Sequence, residues 1–541
     1  MKGIRLPIVK SEYDRTWQKH CGFLDLTIEQ FMAVQEALLE RQVTRMASFP
    51  LGRKLMGERP PRSLDEFLHR VPLTTYADYE SEFRCRNSAA LAEEPLVWAQ
   101  TSAADGSFKY IPYTRRFYEH ALELLMSAFI LSCSHRRGQS DLVEGDRVLF
   151  NVAPQPYLSG ILAAGACRSF DLKPVLEAGE HDALDFRDKV ARGFEQSLKT
   201  GVDVLVAMTS VLVKMGRDFA DLSHGGNGRG RRRTVHPAAL YRYASARLRS
   251  RLEKRGIRPA DLWPVKSIIG WGIDTRIYRE EVHNYWGCYP YEMHACTEAG
   301  IIALQAWDRH DLTLVPTSNF FEFIPEEEWL ACKDNLFAQP RTVLLPDVVP
   351  GERYELVITG FFGMPFLRYR LGHFIRVTAL EDAEAGIRLP QIVFEARADD
   401  LIDIGGFTRI SEKTIASAIA AAGLRCEDWL ARREIDGDHV RLSLYIEANG
   451  HADAAALGRA LQRELTRLDP GYRDLERMLE VRPLEVTLLR PGTFSRYYDL
   501  MRAEGAELLQ RKPPRMNASD EVVGHLLRLS KESEVAAGKT R

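Results

Sequence analysis

The 541-residue chain is sparing with several things that would define other protein classes. Its eight cysteines, Cys21, Cys85, Cys133, Cys167, Cys288, Cys296, Cys332 and Cys426, include no Cys-x-x-Cys pair. A metal knot or disulfide framework needs closer or more patterned thiols, so the spacing points to a reducing, cytoplasmic setting. Charge of one sign is also lacking: 73 basic against 75 acidic side chains leave a net charge of -2. That balance argues against nucleic acid as the main partner. No uncharged run approaches the roughly 20 residues that span a bilayer. The opening MKGIRLPIVKSEYDRTW has no apolar core of signal-peptide length. A soluble protein without a membrane partner is expected, and no internal repeat is visible.

What the chain does have is bulk and pattern. Its length suits two or more domains with a large core, and 45% hydrophobic with 27% charged residues is a globular balance. Residues 1 to about 95 read mainly as helix, with Leu24, Leu26, Ile28, Phe31 and Val34 near helical spacing. Phe117, Ala121, Leu124, Leu125 and Ala128 make one helical stripe, with Thr114 as its N-cap. Short apolar runs at 146–154, 202–208 and 265–272 read as buried strands separated by helices, which predicts a layered α/β core with a partly parallel sheet. Beyond residue 310 the pattern turns β-rich, with strands expected at 313–325, 353–360, 374–380 and 391–406. A smaller α+β domain is expected from about residue 400. In it, Val440–Glu447 alternates like a half-exposed strand, and a frayed helix and tail begin near Ser530. The Gly- and Arg-rich stretch His224–Thr234 lacks both a phosphate-loop arrangement and interleaved aromatics, so it reads as a solvated insertion.

Four phrases carry chemistry. Thr101-Ser-Ala-Ala-Asp-Gly-Ser-Phe-Lys109 has the outline of a phosphate grip: small residues, Gly106 and a terminal Lys109, with an amphipathic helix expected directly after. Tyr291-Glu-Met-His-Ala-Cys-Thr-Glu-Ala-Gly300 places Thr297 and Glu298 together, a hydroxyl and a carboxylate of the kind a hard cation takes. Leu367-Arg-Tyr-Arg-Leu-Gly-His373 and Ala396-Arg-Ala-Asp-Asp400 follow, and Gln510-Arg-Lys-Pro-Pro-Arg515 closes the set.

In order and spacing these phrases resemble the acyl-acid amido synthetases of the auxin-responsive Gretchen Hagen family, within the adenylate-forming superfamily of acyl-CoA synthetases, nonribosomal adenylation domains and luciferases. The resemblance runs from about Val71 to Lys512, and Phe320–Pro325 and Arg490–Phe494 look specific to the amide-forming branch. It implies a large N-terminal adenylate-forming domain with layered mixed sheets (1–398) that binds ATP and the acyl substrate. It also implies a small, mobile α+β C-terminal domain (399–541) that carries the catalytic lysine. It implies Ser102, Gly106 and Lys109 on the β- and γ-phosphates, Thr297 on the α-phosphate and Glu298 on Mg²⁺. It further implies His294 beneath the adenine, His373 toward the ribose, Tyr369 among the nucleotide-binding residues, Arg397 near the ribose at the hinge, and Lys512 reaching toward the reacting carboxylate and α-phosphate.

The departures are as specific as the matches. Ala103, Ala104 and Asp105 stand where the superfamily has a glycine, a threonine and a second hydroxyl residue. Two hydroxyls are lost, and Asp105 brings negative charge toward a triphosphate. His373 replaces an aspartate whose two oxygens would accept from both ribose hydroxyls; a neutral imidazole offers one acceptor and one donor. The resemblance implies ATP-dependent activation of a carboxylic acid as an acyl adenylate, then transfer to an amine, an amino acid first of all. Two alternatives stay open at this point: a non-adenylating binding or scaffold homologue of the same fold, and an acyl-CoA ligase with coenzyme A as acceptor.

Overall fold

The computed structural model describes residues 10–102, 108–177, 186–224, 236–271, 275, 278–332, 335, 338–398, 401–404, 408–436, 439–448, 453–469, 472–473, 484–503, 513 and 515–538. They fall into two compact units: residues up to Thr101 with Phe108–Phe394, and Ser102 with the residues from Glu395 onward.

The first unit opens with helices, as the periodicity predicts: Lys10–Cys21, Ile28–Met46, Pro50–Met56, Leu64–Arg70 and Glu80–Arg84. Ile28–Met46 is held by two buried glutamines two helical turns apart. Gln35 Nε2 donates to the Pro316 carbonyl (2.9 Å) while its Oε1 accepts from Phe321 N (3.0 Å). Gln42 Nε2 donates to the Met364 carbonyl (2.7 Å) and its Oε1 accepts from Gly363 N (3.0 Å). Each amide is satisfied at both ends, the condition under which burial of a polar group is tolerated.

Strands β1 (Val97–Ser102) and β2 (Phe108–Tyr113) form a two-stranded sheet, and β3 (Ser134–Arg136) pairs with β4 (Gln139–Ser140). The expected helix begins behind its expected N-cap, Thr114. Lys109 lies within β2, and the helix is Arg115–Ser132, with Thr114 Oγ1 capping it by accepting from Phe117 N at 3.1 Å. The run Phe108–Tyr113 is rich in aromatic and β-branched residues and pairs with β1 before the polar Thr114 can start a helix.

The centre is an eleven-stranded mixed sheet. Its parallel half contains β5 (Arg147–Asn151), β6 (Lys173–Pro174), β7 (Val204–Met208), β8 (Ser267–Trp271) and β9 (Pro290–Cys296). β10 (Gly300–Gln305), β11 (Leu312–Leu314), β12 (Asn319–Pro325), β13 (Arg353–Gly360), β14 (Tyr369–Ala379) and β15 (Gln391–Arg397) complete it. The spatial order is β12-β13-β14-β15-β11-β10-β9-β8-β7-β5-β6. The three apolar runs expected as buried strands are β5, β7 and β8. The single strand expected over 313–325 is two, because Val315–Ser318 turns the chain between β11 and β12. Helix Arg115–Ser132 packs its stripe over β10, with Phe117, Leu124, Leu125 and Phe129 at 6% exposure or less. Each such side chain contributes about 2 kcal/mol on burial.

In the second unit β16 (Leu401–Ile404) pairs antiparallel with β17 (Thr408–Ser411). β18 (Cys426–Asp436), β19 (His439–Ala448) and β20 (Leu484–Leu489) form a sheet in which β19 is central, antiparallel to β18 and parallel to β20. The expected half-exposed strand is instead buried on both faces. Tyr445 packs with Phe494, Tyr497, Val523 and Leu526 of helices Thr493–Ala503 and Asp520–Gly538. On the other face Leu444 lies in register with Val486, which meets Gly458 of helix Ala454–Leu468. Alternation hid this because the polar members are satisfied internally: Glu447 Oε2 accepts from Phe494 N (2.8 Å) and Ser443 donates to Glu434 (2.9 Å). The chain does not fray at Ser530 either; its hydroxyl is buried and accepts from Arg490 N at 3.0 Å. Residues 225–235, the Gly/Arg-rich insertion, lie outside the described residues between helices Thr209–His224 and Pro237–Leu252. Among the described residues no helix is long and apolar enough to cross a membrane.

Candidate active site

The end of β9 builds the centre of the site. β9 and β10 form a hairpin whose last register pair is Cys296 with Gly300, so Thr297, Glu298 and Ala299 make the turn. Gly300 has φ of +69°, and a Cβ there would lie 2.9 Å from the Phe117 ring, so both backbone and packing require glycine. A tight hairpin with a left-handed glycine is a stiff platform, and it presents Glu298 at its tip.

Lys109 of β2 meets that tip: its Nζ lies 3.9 Å from Glu298 Oε1, with the two side chains 27% and 14% exposed. The same ammonium stands over the Tyr76 ring, 5.2 Å from its centroid, and Tyr76 Oη accepts from Tyr110 N of the same strand (3.0 Å). Tyr113 donates to the Thr297 carbonyl at 2.6 Å and so ties β2 to the hairpin. Burial first, then Cys296 and Glu298, push the Tyr113 phenol far up, so it stays a donor across the usable pH range. Opposite charges on β2 and on the hairpin turn make a polar spot of the kind that suits a triphosphate and its counter-ion.

His294, further back on β9, and His373, on β14, meet edge to edge with Nε2 and Nδ1 3.2 Å apart. Phe394 of β15 stacks on His294 (4.7 Å, 26°) and meets His373 edge-on (5.4 Å, 74°). His373 reaches this position through a bulge in β14: the register with β13 shifts between Leu356 and Val357, and Gly372 takes a φ of +67°. Arg370 just before it is pinned to Glu355 of β13, with Nη2 and Oε2 2.6 Å apart. Tyr369 is 3% exposed and packed among Phe366 and Tyr79. Burial, then Glu298, raises its phenol well above the ordinary value.

The first unit therefore brings together Lys109, Thr297 and Glu298 as one group and His294 and His373 as another, with Tyr369 packed behind them. Arg397 ends β15 exposed in the second unit. Ser102 ends β1, its side chain outside the described residues; Gly106 and Lys512 lie outside them altogether, as do Ala103, Ala104, Asp105, Asp400, Gly405 and Gly406. Tyr76, Tyr113 and Phe394 were not singled out by sequence reasoning. Their signal was an aromatic next to a polar phrase, which only pairing between distant strands converts into a contact.

Three family models match: the GH3 family N-terminal domain at residues 21–164, the central domain at 312–397 and the C-terminal domain at 412–521. An indole-3-acetic acid-amido synthetase, GH3.10 of Arabidopsis thaliana, is 23% identical over 91% of this chain and 94% of its own length. A jasmonoyl-L-amino acid synthetase, GH3.5 of Oryza sativa subsp. japonica, is 26% identical over 50% of this chain and 49% of its own. Among solved structures, the AtGH3.15 acyl acid amido synthetase in complex with 2,4-DB superposes with a TM-score of 0.68 at 18% identity, covering 97% of both chains. A 2-hydroxyisobutyryl-CoA ligase in the postadenylation state superposes at 0.63 with 16% identity, covering 97% of this chain and 96% of that one. With N-terminal, central and C-terminal domains all matched in order, the chain belongs to the GH3 family.

Proposed function

We propose that this protein activates a small carboxylic acid with ATP and transfers the acyl group to an amine, an amino acid first of all. The observation that carries the reading is the Lys109–Glu298 pair at the hairpin tip, within a chain whose three domains match the family.

In the first step a carboxylate oxygen attacks the α-phosphorus of ATP, the bond from the α-phosphorus to its bridging oxygen breaks, and pyrophosphate leaves. Lys109 stabilises the negative charge that builds on the leaving phosphates, and the protein works by positioning and charge stabilisation without a covalent nucleophile. Glu298 fits a magnesium ion, being a partly exposed carboxylate that leaves most of the coordination shell to phosphate and water; the ion when bound neutralises phosphate charge. The stacked His294 and Phe394 give a purine a flat wall, with the Nδ1 edge of His373 turned to His294 and His373 assigned to the sugar. In the second step the amine nitrogen attacks the acyl carbon, AMP leaves and the nitrogen loses a proton. By resemblance, Lys512 serves the first step and the second unit turns between the two, a motion of the kind that often gates turnover.

The experiment is incubation with Mg-ATP and a panel of carboxylic acids, trapping with hydroxylamine and measuring pyrophosphate and hydroxamate. Release with at least one acid is expected. No release with any acid, together with no thermal shift on adding ATP, overturns the reading. Replacing hydroxylamine by amino acids or by coenzyme A then assigns the acceptor.

A further inference from the structure

At the opposite end of β9, about 20 Å from the Thr297–Glu298 turn at roughly 3.3 Å per strand residue, the first unit contains a cavity. It holds about 540 Å³ and is lined among others by Arg279, Glu292, Gln305, His310, Asp382 and Gln391. Two loops meet at its rim: the β10–β11 connection, with Asp308 and His310, and the turn after β14, with Asp382. One ligand atom from each of these three side chains lies within 4.8 Å of the other two.

The loops are built rather than accidental. Gln305 Nε2 donates to the His310 carbonyl (2.9 Å), and Arg309 takes a φ of +59° that turns its guanidinium away, to the Tyr289 carbonyl at 2.9 Å and the Ser132 carbonyl. Asp382 and Ile387 exchange backbone hydrogen bonds (2.8 and 2.9 Å), and Asp382 Oδ1 accepts from Glu384 N and Ala385 N, both at 3.0 Å. The Asp308 side chain is only 10% exposed, and its Oδ2 is fully buried without a hydrogen-bond donor. Among the described residues no lysine or arginine pairs with either carboxylate. The base beside them is the exposed His310, whose Nδ1 is 3.4 Å from Asp308 Oδ2.

We propose that Asp308, His310 and Asp382 form a divalent-cation site that clamps the β10–β11 connection to the turn after β14. Two carboxylates and an imidazole favour zinc, manganese or a related transition ion over magnesium or calcium, which take all-oxygen sets. Ligand atoms around a tetrahedral zinc stand about 3.4 Å apart, so a contraction of at most about 1.4 Å closes the set. With three protein ligands, the remaining position faces the cavity and takes water or a small anion. The site is separate from Glu298 and from the proposed nucleotide chemistry.

The test uses full-length protein stripped with a chelator, titrated with zinc by calorimetry without nucleotide, with zinc content measured by atomic emission. Other histidines and the free thiols also bind zinc, so the readout is the difference between variants. Asp382→Asn keeps the Oδ1 that holds the turn, and His310 is exposed, so neither substitution threatens folding; melting of the metal-free forms verifies this. Loss of one zinc equivalent, or at least a tenfold drop in its affinity, is expected in Asp382→Asn and in His310→Ala, with Glu298→Gln unchanged. Zinc stoichiometry and affinity equal to the parent in both variants, or no zinc retained by the parent at micromolar concentration, overturns the proposal.

Discussion

His294 Nε2 and His373 Nδ1 lie 3.2 Å apart, both side chains less than 9% exposed, on strands β9 and β14. One proton must sit between the two nitrogens, so the tautomer of one ring sets that of the other. If His294 donates, neutral His373 carries its own proton on Nε2.

That relationship makes the proposed ribose role of His373 testable with opposite signs. His373→Asp supplies two acceptor oxygens and is expected to lower the KM for ATP several-fold, with His294 as its partner. His373→Ala removes the contact and is expected to raise that KM about tenfold, the weight of one hydrogen bond, with a smaller change in kcat. Identical ATP KM values for all three proteins would take His373 out of the nucleotide site.

Lys109 and Glu298 are expected to act on the same developing charge. Lys109→Met and Glu298→Gln should each reduce kcat/KM for pyrophosphate release by about 100-fold. The double variant should lose no more than slightly beyond the weaker single one, because groups that act as a unit are not additive. Fully multiplicative losses would mean that the 3.9 Å approach has no catalytic meaning.

Stability of the first unit should hinge on Arg368. Its guanidinium pairs with Glu322 (2.6 Å), donates to Thr342 and holds the Leu68 and Val71 carbonyls, while Glu322 is 0% exposed. Arg368→Met should cost about 3 kcal/mol or more by leaving a buried carboxylate unpaired. Adding Glu322→Leu should recover part of the loss. A melting temperature unchanged by Arg368→Met contradicts this.

Acid sensitivity should trace in part to His20. Burial, then the charge of Lys19, lowers its imidazole from 6.5 to about 4, while the Glu123 carbonyl and carboxylate oppose this. The folded state thus favours the neutral ring. Its contribution is complete above pH 6.5 and is lost as pH falls from 6.5 to about 4, amounting to about 3 kcal/mol. Chemical denaturation across that window should show a slope that His20→Gln flattens, and an unflattened slope assigns it elsewhere.

Much of the fold was legible because its signals are local. β5, β7 and β8 announced themselves as apolar runs, and the Arg115–Ser132 helix as a stripe with Thr114 before it. What misled was local pattern overruled by neighbours. Lys109 sits in a strand because Phe108–Tyr113 found β1 to pair with, and β19 alternates yet is sealed because helices cover both of its faces. Gln35 and Gln42 look like surface residues until the carbonyls of Pro316 and Met364 reach them.

The active-site residues divide in the same way. The phrase around Thr297 and Glu298 was readable because a hairpin turn is coded by adjacent residues, with Gly300 closing it. Sequence by itself determined the family, the order of the domains and which side chains are available, since residue type and spacing along the chain carry that information. Only the tertiary structure decided that Lys109 faces Glu298, that His294 meets His373, and that Asp308, His310 and Asp382 converge at the far end of the sheet. Those meetings join strands and loops far apart in the chain, and strand pairing and the β14 bulge set them, neither of which leaves a local mark in the sequence.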